Sequence, residues 1–317
     1  MQTNKKGNEM KYVTLNTDFK MPALGLGTWK SEDEKVYQAV RWALKAGYEH
    51  IDCAAVYGNE ATVGQALHDA VGEGDIRREK LFVTSKLWND SHRPEDVRPA
   101  LEKTLKDLQL DYLDLYLMHW PIAEDKSGAP VSLNDIPLDV TWAEMEKAKN
   151  DGLVRSIGVS NFSRKKLAGL MEKAEITPAV NQVEVHPYLA QTDLIEFCRS
   201  NNIAVTAYAP LGSGDRPEAM KEKDEPALME NPVIIDIADR VNATPAQVIL
   251  AWDLARGLIV IPKSVNFERI QENLAAADLS LDPEDVEKIT ALDRHYRFIS
   301  GKSFVTGDYT LANIWDE

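Results

Sequence analysis

Cysteine is scarce in this sequence, which has two, Cys53 and Cys198, among its 317 residues. Neither lies in a Cys-x-x-Cys pair or in the Cys/His spacing typical of a zinc site. The scarcity excludes a disulfide-rich scaffold. Both residues are interpreted as reduced thiols of a cytoplasmic protein.

Positive charge is in deficit: 36 lysine and arginine residues stand against 51 aspartate and glutamate residues, for a formal net charge of -15. A phosphate backbone or an anionic lipid surface repels such a chain. No stretch reaches the roughly 20 apolar residues that a membrane-spanning helix needs. The sequence therefore predicts neither a nucleic-acid partner nor a membrane. Residues 1–10 are polar without an apolar core, so we expect a disordered segment and not a signal peptide.

The sequence also lacks a linker rich in proline, glycine and serine, and we expect residues 1–317 to form one domain. Residues 12–22 predict a short N-terminal β-hairpin with a turn at 16–18. After it, apolar runs alternate with amphipathic helical segments. The runs predicted as strands lie near residues 23–28, 50–53, 81–86, 112–118, 155–159, 180–185, 203–208 and 258–262. Helices are predicted over residues 31–45, 94–108, 245–254 and 282–295.

Eight apolar strands without a polar face predict an all-parallel sheet covered by helices. Eight is also the number that closes a (β/α)8 TIM barrel, which typically takes about 250 residues. A doubly wound sheet is the alternative. Against it, no Gly-x-Gly-x-x-Gly motif occurs, because Lys30 and Pro217 stand where the third glycine of the two nearest matches would lie.

Four polar residues stand where three successive predicted strands end: Asp52, Tyr57, Lys86 and His119. The carboxyl ends of barrel strands meet at one rim, so these side chains are expected to lie together. An adjacent ammonium lowers the pKa of a tyrosine from its usual value near ~10, and Asp52 would keep Lys86 charged and oriented. His119 can donate a hydrogen bond to a carbonyl oxygen. The set predicts protonation of a substrate oxygen and, without a nucleophile–base pair, disfavours acyl transfer.

Each of these residues has a common structural alternative. A lysine is usually a solvated head on an apolar stem, a histidine on an apolar strand is usually a core residue, and a tyrosine usually packs. Their shared position at strand ends favours the catalytic interpretation.

A second polar group follows the last predicted strand, within residues 258–273, where a basic turn precedes a helix that starts near Asn266. Barrels often bind phosphate beside the loops after their seventh and eighth strands, at a helix N-terminus. The ammonium of Lys263 would supply a positive charge, and the planar guanidinium of Arg269 could donate two hydrogen bonds to phosphate oxygens. The hydroxyl of Ser264 would add a neutral hydrogen bond. The alternative is that Asn266 only caps the helix and Arg269 pairs with a surface glutamate.

These segments resemble the aldo-keto reductase superfamily over nearly the whole chain. The matching segments, in chain order, are GYEHIDCAAVYGNE, LFVTSKLWN, LDLYLMHWP, GVSNF, VNQVEVHP, YAPLGSGDRP and IPKSVNFERIQEN. The first three match the family's catalytic tetrad at Asp52, Tyr57, Lys86 and His119. The resemblance implies a (β/α)8 barrel that uses NADPH to reduce an aldehyde or ketone to an alcohol, with Tyr57 as proton donor and without a metal.

The resemblance also implies how the cofactor is held. Ser160, Asn161 and Gln182 would bind the nicotinamide carboxamide, and the ring of Tyr208 would stack on the nicotinamide. Leu211, Ser213 and Asp215 would cover the pyrophosphate, and the segment 261–273 would grip the adenosine 2′-phosphate, which predicts a preference for NADPH over NADH. The full set of expected cofactor contacts is Gly27, Thr28, Trp29, Asp52, Ser160, Asn161, Gln182, Tyr208, Leu211, Ser213, Asp215, Lys263, Ser264, Val265, Asn266, Arg269, Glu272 and Asn273.

Tryptophans flank the catalytic residues in sequence and resemble the lining of an apolar substrate cleft. The expected substrate contacts are Trp29, Val56, Trp88, His119 and Trp120. Three indoles suit apolar or aromatic aldehydes and the carbon faces of sugars. The alternative is that some of these tryptophans are core residues, as we expect for Trp42 and Trp142.

Two segments are candidates for substrate specificity. Residues 296–317 resemble the family's variable C-terminal loop over the active site; the equal alternative is a tail that only packs against the barrel. Residues 120–140, after His119, form the other candidate. Neither segment names a substrate, so an aldehyde reductase, a xylose-reductase-like enzyme and a glycerol dehydrogenase working in reverse all stay open.

Two other classes of function stay open as well. Some relatives bind NADPH yet act as regulatory or structural proteins, although such a protein need not keep all four catalytic residues. A hydrolase that uses His119 and Asp52 would act without a nucleotide. A monomer is expected, with a dimer as the alternative, because no heptad repeat or long apolar edge predicts association.

Overall fold

A parallel sheet of eight strands dominates the computed structural model, which describes residues 10–317. The predicted disorder of residues 1–10 lies almost wholly outside this range. The strands are β1 (Tyr12–Thr14), β2 (Lys20–Pro22), β3 (Leu26–Gly27), β4 (His50–Asp52), β5 (Phe82–Leu87), β6 (Leu113–Met118), β7 (Ala123–Glu124), β8 (Pro130–Val131), β9 (Val154–Ser160), β10 (Val180–Glu184), β11 (Ala204–Tyr208) and β12 (Ile259–Val260).

The sheet runs in the order β3, β4, β5, β6, β9, β10, β11, β12, with every neighbouring pair parallel. Its two edges meet through parallel bridges that join Leu24 to Val260 and Gly27 to Lys263. The amide of Gly25 donates to the carbonyl of Val260 over 2.9 Å, and this hydrogen bond helps to close the sheet into a barrel. The eight strands coincide with the eight apolar runs, and the predicted (β/α)8 barrel is confirmed.

Helices surround the barrel. They are α1 (Asp33–Ala46), α2 (Glu60–Gly72), α3 (Pro94–Leu108), α4 (Leu138–Asn150), α5 (Arg164–Met171), α6 (Thr192–Ser200), α7 (Pro232–Val241), α8 (Pro245–Ala255), α9 (Phe267–Ala275), α10 (Pro283–Thr290) and α11 (Leu311–Trp315). Their starts follow local chemistry: α3 has proline at its first position, and Thr244 forms a capping box with Gln247 at the start of α8. Within the described residues, none of these helices is both long and apolar enough to cross a membrane.

One helix ends sooner than predicted. The pattern predicts a helix over 282–295, but α10 ends at Thr290. The backbone of His295 is left-handed, with φ of 52°, and the amides of Arg294 and Tyr296 donate to the carbonyl of Tyr188. These amides therefore bind a distant loop and not the preceding helical turn, which directs the C-terminal tail back toward the barrel.

The N-terminal hairpin is confirmed, because β1 pairs antiparallel with β2 and places Val13 opposite Met21. Leu15 and Met21 are buried against Phe82 and Val180, which stand at the starts of β5 and β10. The hairpin therefore covers the N-terminal end of the barrel. The opposite end of the barrel, where the carboxyl ends of the strands lie, is not covered by the hairpin and can hold a functional site.

Two buried histidines make stability depend on pH. His50 and His92 are fully buried, and burial lowers the pKa of each to about 4. An unfolded histidine binds a proton near pH ~6.5, so the unfolded chain takes up protons first as the pH falls. We expect the free energy of unfolding to fall between pH 6.5 and 4 by up to about 1.4 kcal/mol per pH unit for each histidine.

Denaturant unfolding at several pH values between 7.5 and 5 measures this slope. His92→Phe is the matched variant, because neither ring nitrogen of His92 has a hydrogen-bond partner among residues 10–317. A shallower slope in the variant is expected. A slope equal to that of the unchanged protein would mean that His92 does not contribute.

Candidate active site

A buried ion pair lies where β4 and β5 end. Nζ of Lys86 lies 2.5 Å from Oδ1 of Asp52 and donates to the carbonyl of Cys53 over 2.7 Å. The side chains of the pair are 0% and 2% exposed. Such a pair is a doubtful stabiliser, because removing two charges from water costs about as much as their attraction returns. Its retention in the interior points to a functional role.

Tyr57 completes a line of three groups. It ends a short 3-10 helix, Ala55–Tyr57, that follows β4, and its hydroxyl lies 3.4 Å from Nζ of Lys86. Burial raises the pKa of Tyr57 and the charge of Lys86 lowers it, with a net result of about 12. The expected lowering of this pKa is therefore wrong, because desolvation of the phenolate outweighs the ammonium.

The protonation states of this line follow from its surroundings. Burial lowers the pKa of Lys86, but Asp52 more than offsets this and the pKa rises to about 12. At neutral pH the lysine is therefore charged and the phenol of Tyr57 keeps its proton. Tyr57 can therefore act as a proton donor next to the positively charged Lys86.

His119 faces the same phenol from the end of β6. Its ring centre lies 5.9 Å from that of Tyr57, edge to face, and 5.2 Å from that of Trp88. Burial and the charge of Lys86 hold the pKa of His119 well below its usual value. The imidazole is therefore neutral at pH 7 and carries one N–H that can donate to a substrate oxygen.

A single elongated cleft joins the predicted sites. Its volume is about 1190 Å³, above the roughly 300–1,000 Å³ typical of small-molecule pockets. Every predicted catalytic, cofactor and substrate residue lines it except Lys86, which lies beneath Asp52 and Tyr57. The fold thus brings together residues that are spread from Gly27 to Asn273 in sequence.

The residues predicted to hold the nicotinamide form a continuous hydrogen-bond network. Gln182 donates to Oδ2 of Asp52 over 2.7 Å, and Ser160 donates to the carbonyl of Gln182 over 2.8 Å. Tyr208 donates to Oδ1 of Asn161 over 2.7 Å, and Asn161 donates to the carbonyl of His119 over 3.0 Å. The side-chain amide of Gln182 thus donates to the carboxylate of Asp52, a contact that its spacing in sequence did not predict.

Lys30 is a cleft residue that sequence reasoning missed. Its Nζ lies 2.5 Å from Asp215 and 2.8 Å from Oγ of Ser213, and Lys263 binds the other oxygen of Asp215 over 3.0 Å. Burial raises the pKa of Asp215, but the two lysines lower it to about 2. A bridge of two cations and one anion therefore crosses the cleft. The available signal was the position of Lys30 three residues after the barrel strand β3.

The basic turn after β12 both caps a helix and lines the cleft, and its binding of phosphate stays a prediction. Asn266 caps α9 by accepting from the amide of Arg269 over 2.9 Å, and the amide of Asn266 donates to Oγ of Ser264 over 3.1 Å. The same residues line the cleft together with Lys263. Capping and cleft formation are therefore compatible in this turn.

The other end of the cleft is aromatic. Trp29 and Trp88 are half-buried there, and Val56 is 43% exposed. Trp120 packs against Phe304 of the tail with ring centres 4.6 Å apart and the ring planes tilted by 52°. Of the two tryptophans expected in the core, Trp142 is 1% exposed, whereas Trp42 is half-buried beside Phe267.

The C-terminal tail both lines the cleft and packs on the barrel, so the alternative of a tail that only packs is wrong, and a role in substrate specificity stays a prediction. Ile299 and Phe304 line the cleft, while Trp315 packs on Trp120. Of residues 120–140, Trp120 lines the cleft. The strands β7 and β8 of that loop bind the tail instead: the hydroxyl of Tyr309 accepts from the amide of Ala123 and donates to the carbonyl of Val131.

Among residues 10–317, no cluster of three or more His, Cys, Asp or Glu side chains is arranged to hold a metal.

Comparison with known proteins agrees with this arrangement. The sequence model described as the Aldo/keto reductase family matches residues 23–294. An aldo/keto reductase of Synechocystis is 52% identical over the full length of both chains. The aldo-keto reductase family 1 members A1 of Sus scrofa and Homo sapiens are 50% and 48% identical, each over 90% of both chains. Since the matches span nearly the whole chain, this protein belongs to the aldo/keto reductase family.

Proposed function

We propose that this protein is an NADPH-dependent reductase that converts aldehydes, and some ketones and aldoses, to alcohols. Members of the family use nicotinamide cofactors, and the choice of NADPH rests on the basic groups at one end of the cleft. The observation that carries the proposal is the line from Asp52 through Lys86 to Tyr57, which ends in the same cleft as His119.

The residues present fit a dinucleotide. The network of Ser160, Asn161 and Gln182 offers amide and hydroxyl groups beside the catalytic line, as a carboxamide requires. Lys263 and Arg269 lie at the far end, at the start of α9, where a helix N-terminus also favours an anion. When bound, the nicotinamide supplies a hydride to the carbonyl carbon.

The protein would supply the proton and the orientation. The neutral imidazole of His119 donates a hydrogen bond to the carbonyl oxygen and sets its position above Tyr57. Tyr57 gives its proton to that oxygen as negative charge develops on it. Lys86 lies 3.4 Å from the phenol oxygen and stabilises the phenolate that remains, and Asp52 keeps Lys86 in place.

The direct test is the oxidation of NADPH, followed by absorbance, with glyceraldehyde, an aromatic aldehyde, xylose and a short ketone in turn. We expect oxidation that depends on the carbonyl compound, with the aromatic aldehyde favoured because the substrate end of the cleft is lined by indoles. Tight NADPH binding without oxidation would instead indicate a regulatory relative. Ester or amide cleavage without nucleotide would indicate a hydrolase.

The preference for NADPH is expected to depend on Arg269. A hydrogen bond to a charged group is worth about 1.5–3 kcal/mol, so Arg269→Ala should raise KM for NADPH by about 10- to 100-fold. KM for NADH should stay within about twofold, because NADH lacks the 2′-phosphate. Arg93→Ala removes an exposed arginine outside the cleft and is the matched control. An equal loss for both cofactors would contradict the 2′-phosphate role.

A further inference from the structure

Glu184 is a buried carboxylate that the proposed reaction does not use. It is the last residue of β10 and is 1% exposed. Its Oε1 accepts from the amide of Phe298 over 2.6 Å, and its Oε2 accepts from the amide of Ile299 over 3.0 Å. Both amides are buried in an irregular part of the chain, where an acceptor from elsewhere must satisfy them. The carboxylate therefore ties the start of the C-terminal tail to the barrel.

His186 makes this attachment rigid. Its Nε2 lies 2.8 Å from Oε1 of Glu184, and its Nδ1 accepts from the amide of Tyr188 over 3.3 Å. The accepting role of Nδ1 places the proton on Nε2, so Glu184 accepts a third hydrogen bond. The ring of His186 also packs on Phe298, with ring centres 4.7 Å apart. Backbone and side chain of Phe298 are thus held by the same two residues.

The attached segment leads directly into the wall of the cleft. Ile299 lines the cleft immediately after the attachment, and residues 300–304 continue that lining. The carbonyl of Ser300 accepts from the indole of Trp315 over 2.9 Å, and Phe304 packs on Trp120. A shift of the chain at Phe298 would therefore move Ile299 and Phe304 relative to the aromatic residues of the barrel.

The tail has other attachments on both sides of this one. Before it, the amides of Arg294 and Tyr296 donate to the carbonyl of Tyr188. Tyr309 is held by β7 and β8, and Asp316 pairs with Lys166 on α5 over 2.5 Å. Both lie beyond the residues that line the cleft. Glu184 is the attachment at the point where the chain enters the cleft wall, because it binds the amides of Phe298 and Ile299.

We propose that Glu184 is a positioning residue for substrate specificity: it fixes the tail so that Ile299 and Phe304 form one wall of the substrate end. This rests on the proposed function, because the wall matters only if a carbonyl substrate occupies the cleft. A substrate large enough to reach the tail depends on this wall, whereas a small one contacts only the barrel residues.

Glu184→Gln tests the proposal without changing the volume of the side chain. One amide of the tail would then face an N–H₂ group in place of an oxygen, and the tail would move. A lost hydrogen bond to a charged group corresponds to a factor of about ten or more in the equilibrium between the attached and detached tail, and binding that needs the attached tail weakens accordingly. We expect KM for a bulky aromatic aldehyde to rise about tenfold, while KM for glyceraldehyde and the Kd for NADPH stay within about twofold. Asp316→Asn, which alters a later attachment, is the matched control and should leave all three values unchanged.

Hydrogen exchange of the unchanged protein supplies a test that does not depend on the variant's folding or on turnover. The amides of Phe298 and Ile299 should exchange more slowly than those of residues 300–304, and Glu184→Gln should remove this protection. Fast exchange at both amides in the unchanged protein, or an equal rise in KM for large and small aldehydes, would overturn the role of Glu184. Absence of any reduction by the unchanged protein, with the two amides protected, would instead count against the proposed function alone.

Discussion

Tyr57→Phe is expected to lower kcat for carbonyl reduction by at least about 100-fold, because positioned general acids contribute roughly 10²- to 10⁴-fold. The phenol is the group that points from Lys86 into the cleft and keeps its proton at neutral pH, with a pKa of about 12. Phenylalanine preserves the ring that packs 5.9 Å from His119 and removes the proton. The Kd for NADPH should change by less than about twofold, which a fluorescence titration measures alongside the rate.

Tyr37→Phe is the matched control, since Tyr37 donates its hydroxyl to Asp69 on the outside of the barrel. Its kcat should equal that of the unchanged protein. If Tyr57→Phe retained more than a tenth of the original kcat, another group would have to deliver the proton. His119 would be the next candidate, since its ring lies beside that of Tyr57 and lines the same cleft.

Lys86→Met is expected to damage both turnover and stability. Removing one partner of a buried pair leaves an uncompensated charge and costs about 3–5 kcal/mol, here the carboxylate of Asp52. Turnover should also fall by at least about 100-fold, because the phenolate of Tyr57 would form without its neighbouring cation. Thermal and denaturant unfolding measure the first effect, and the rate of NADPH oxidation measures the second.

The double variant Lys86→Met with Asp52→Asn separates the two effects. It removes both charges, so most of the lost stability should return, while turnover should stay low. If Lys86→Met alone were as stable as the unchanged protein, Asp52 would be compensated by other groups, with Gln182 as the nearest donor. If the double variant regained turnover, the cation would not be needed for proton transfer.

The barrel and the polar residues at its rim could be predicted because both follow from short-range patterns. An apolar run that ends on a polar residue marks a strand that delivers this residue to the rim, and this holds for Asp52, Lys86 and His119. The start of α9 at Asn266 was likewise predicted from a local cap. Each of these features depends on neighbours within a few residues.

What could not be predicted depends on contacts between distant residues. The pairing of Lys30 with Asp215 joins positions 185 residues apart, and Glu184 binds amides 114 and 115 residues further on. The direction of the pKa shift of Tyr57 depends on how far the folded chain excludes water, which the spacing of Tyr57 and Lys86 does not contain. The end of α10 before the predicted position also involves a distant contact, because the amides of Arg294 and Tyr296 bind the carbonyl of Tyr188.

The site divides between two kinds of structure: the proton-transfer line comes from the ends of β4 and β5, whereas one wall of the substrate end comes from the tail. Mutations in these two parts therefore have separable consequences during evolution. A change at Phe304 or Ile299 can alter which carbonyl compound is accepted while the acid remains unaltered. A duplicated gene of this kind can diverge in metabolic role through the codons of this tail, and a laboratory library aimed at new substrates should include them.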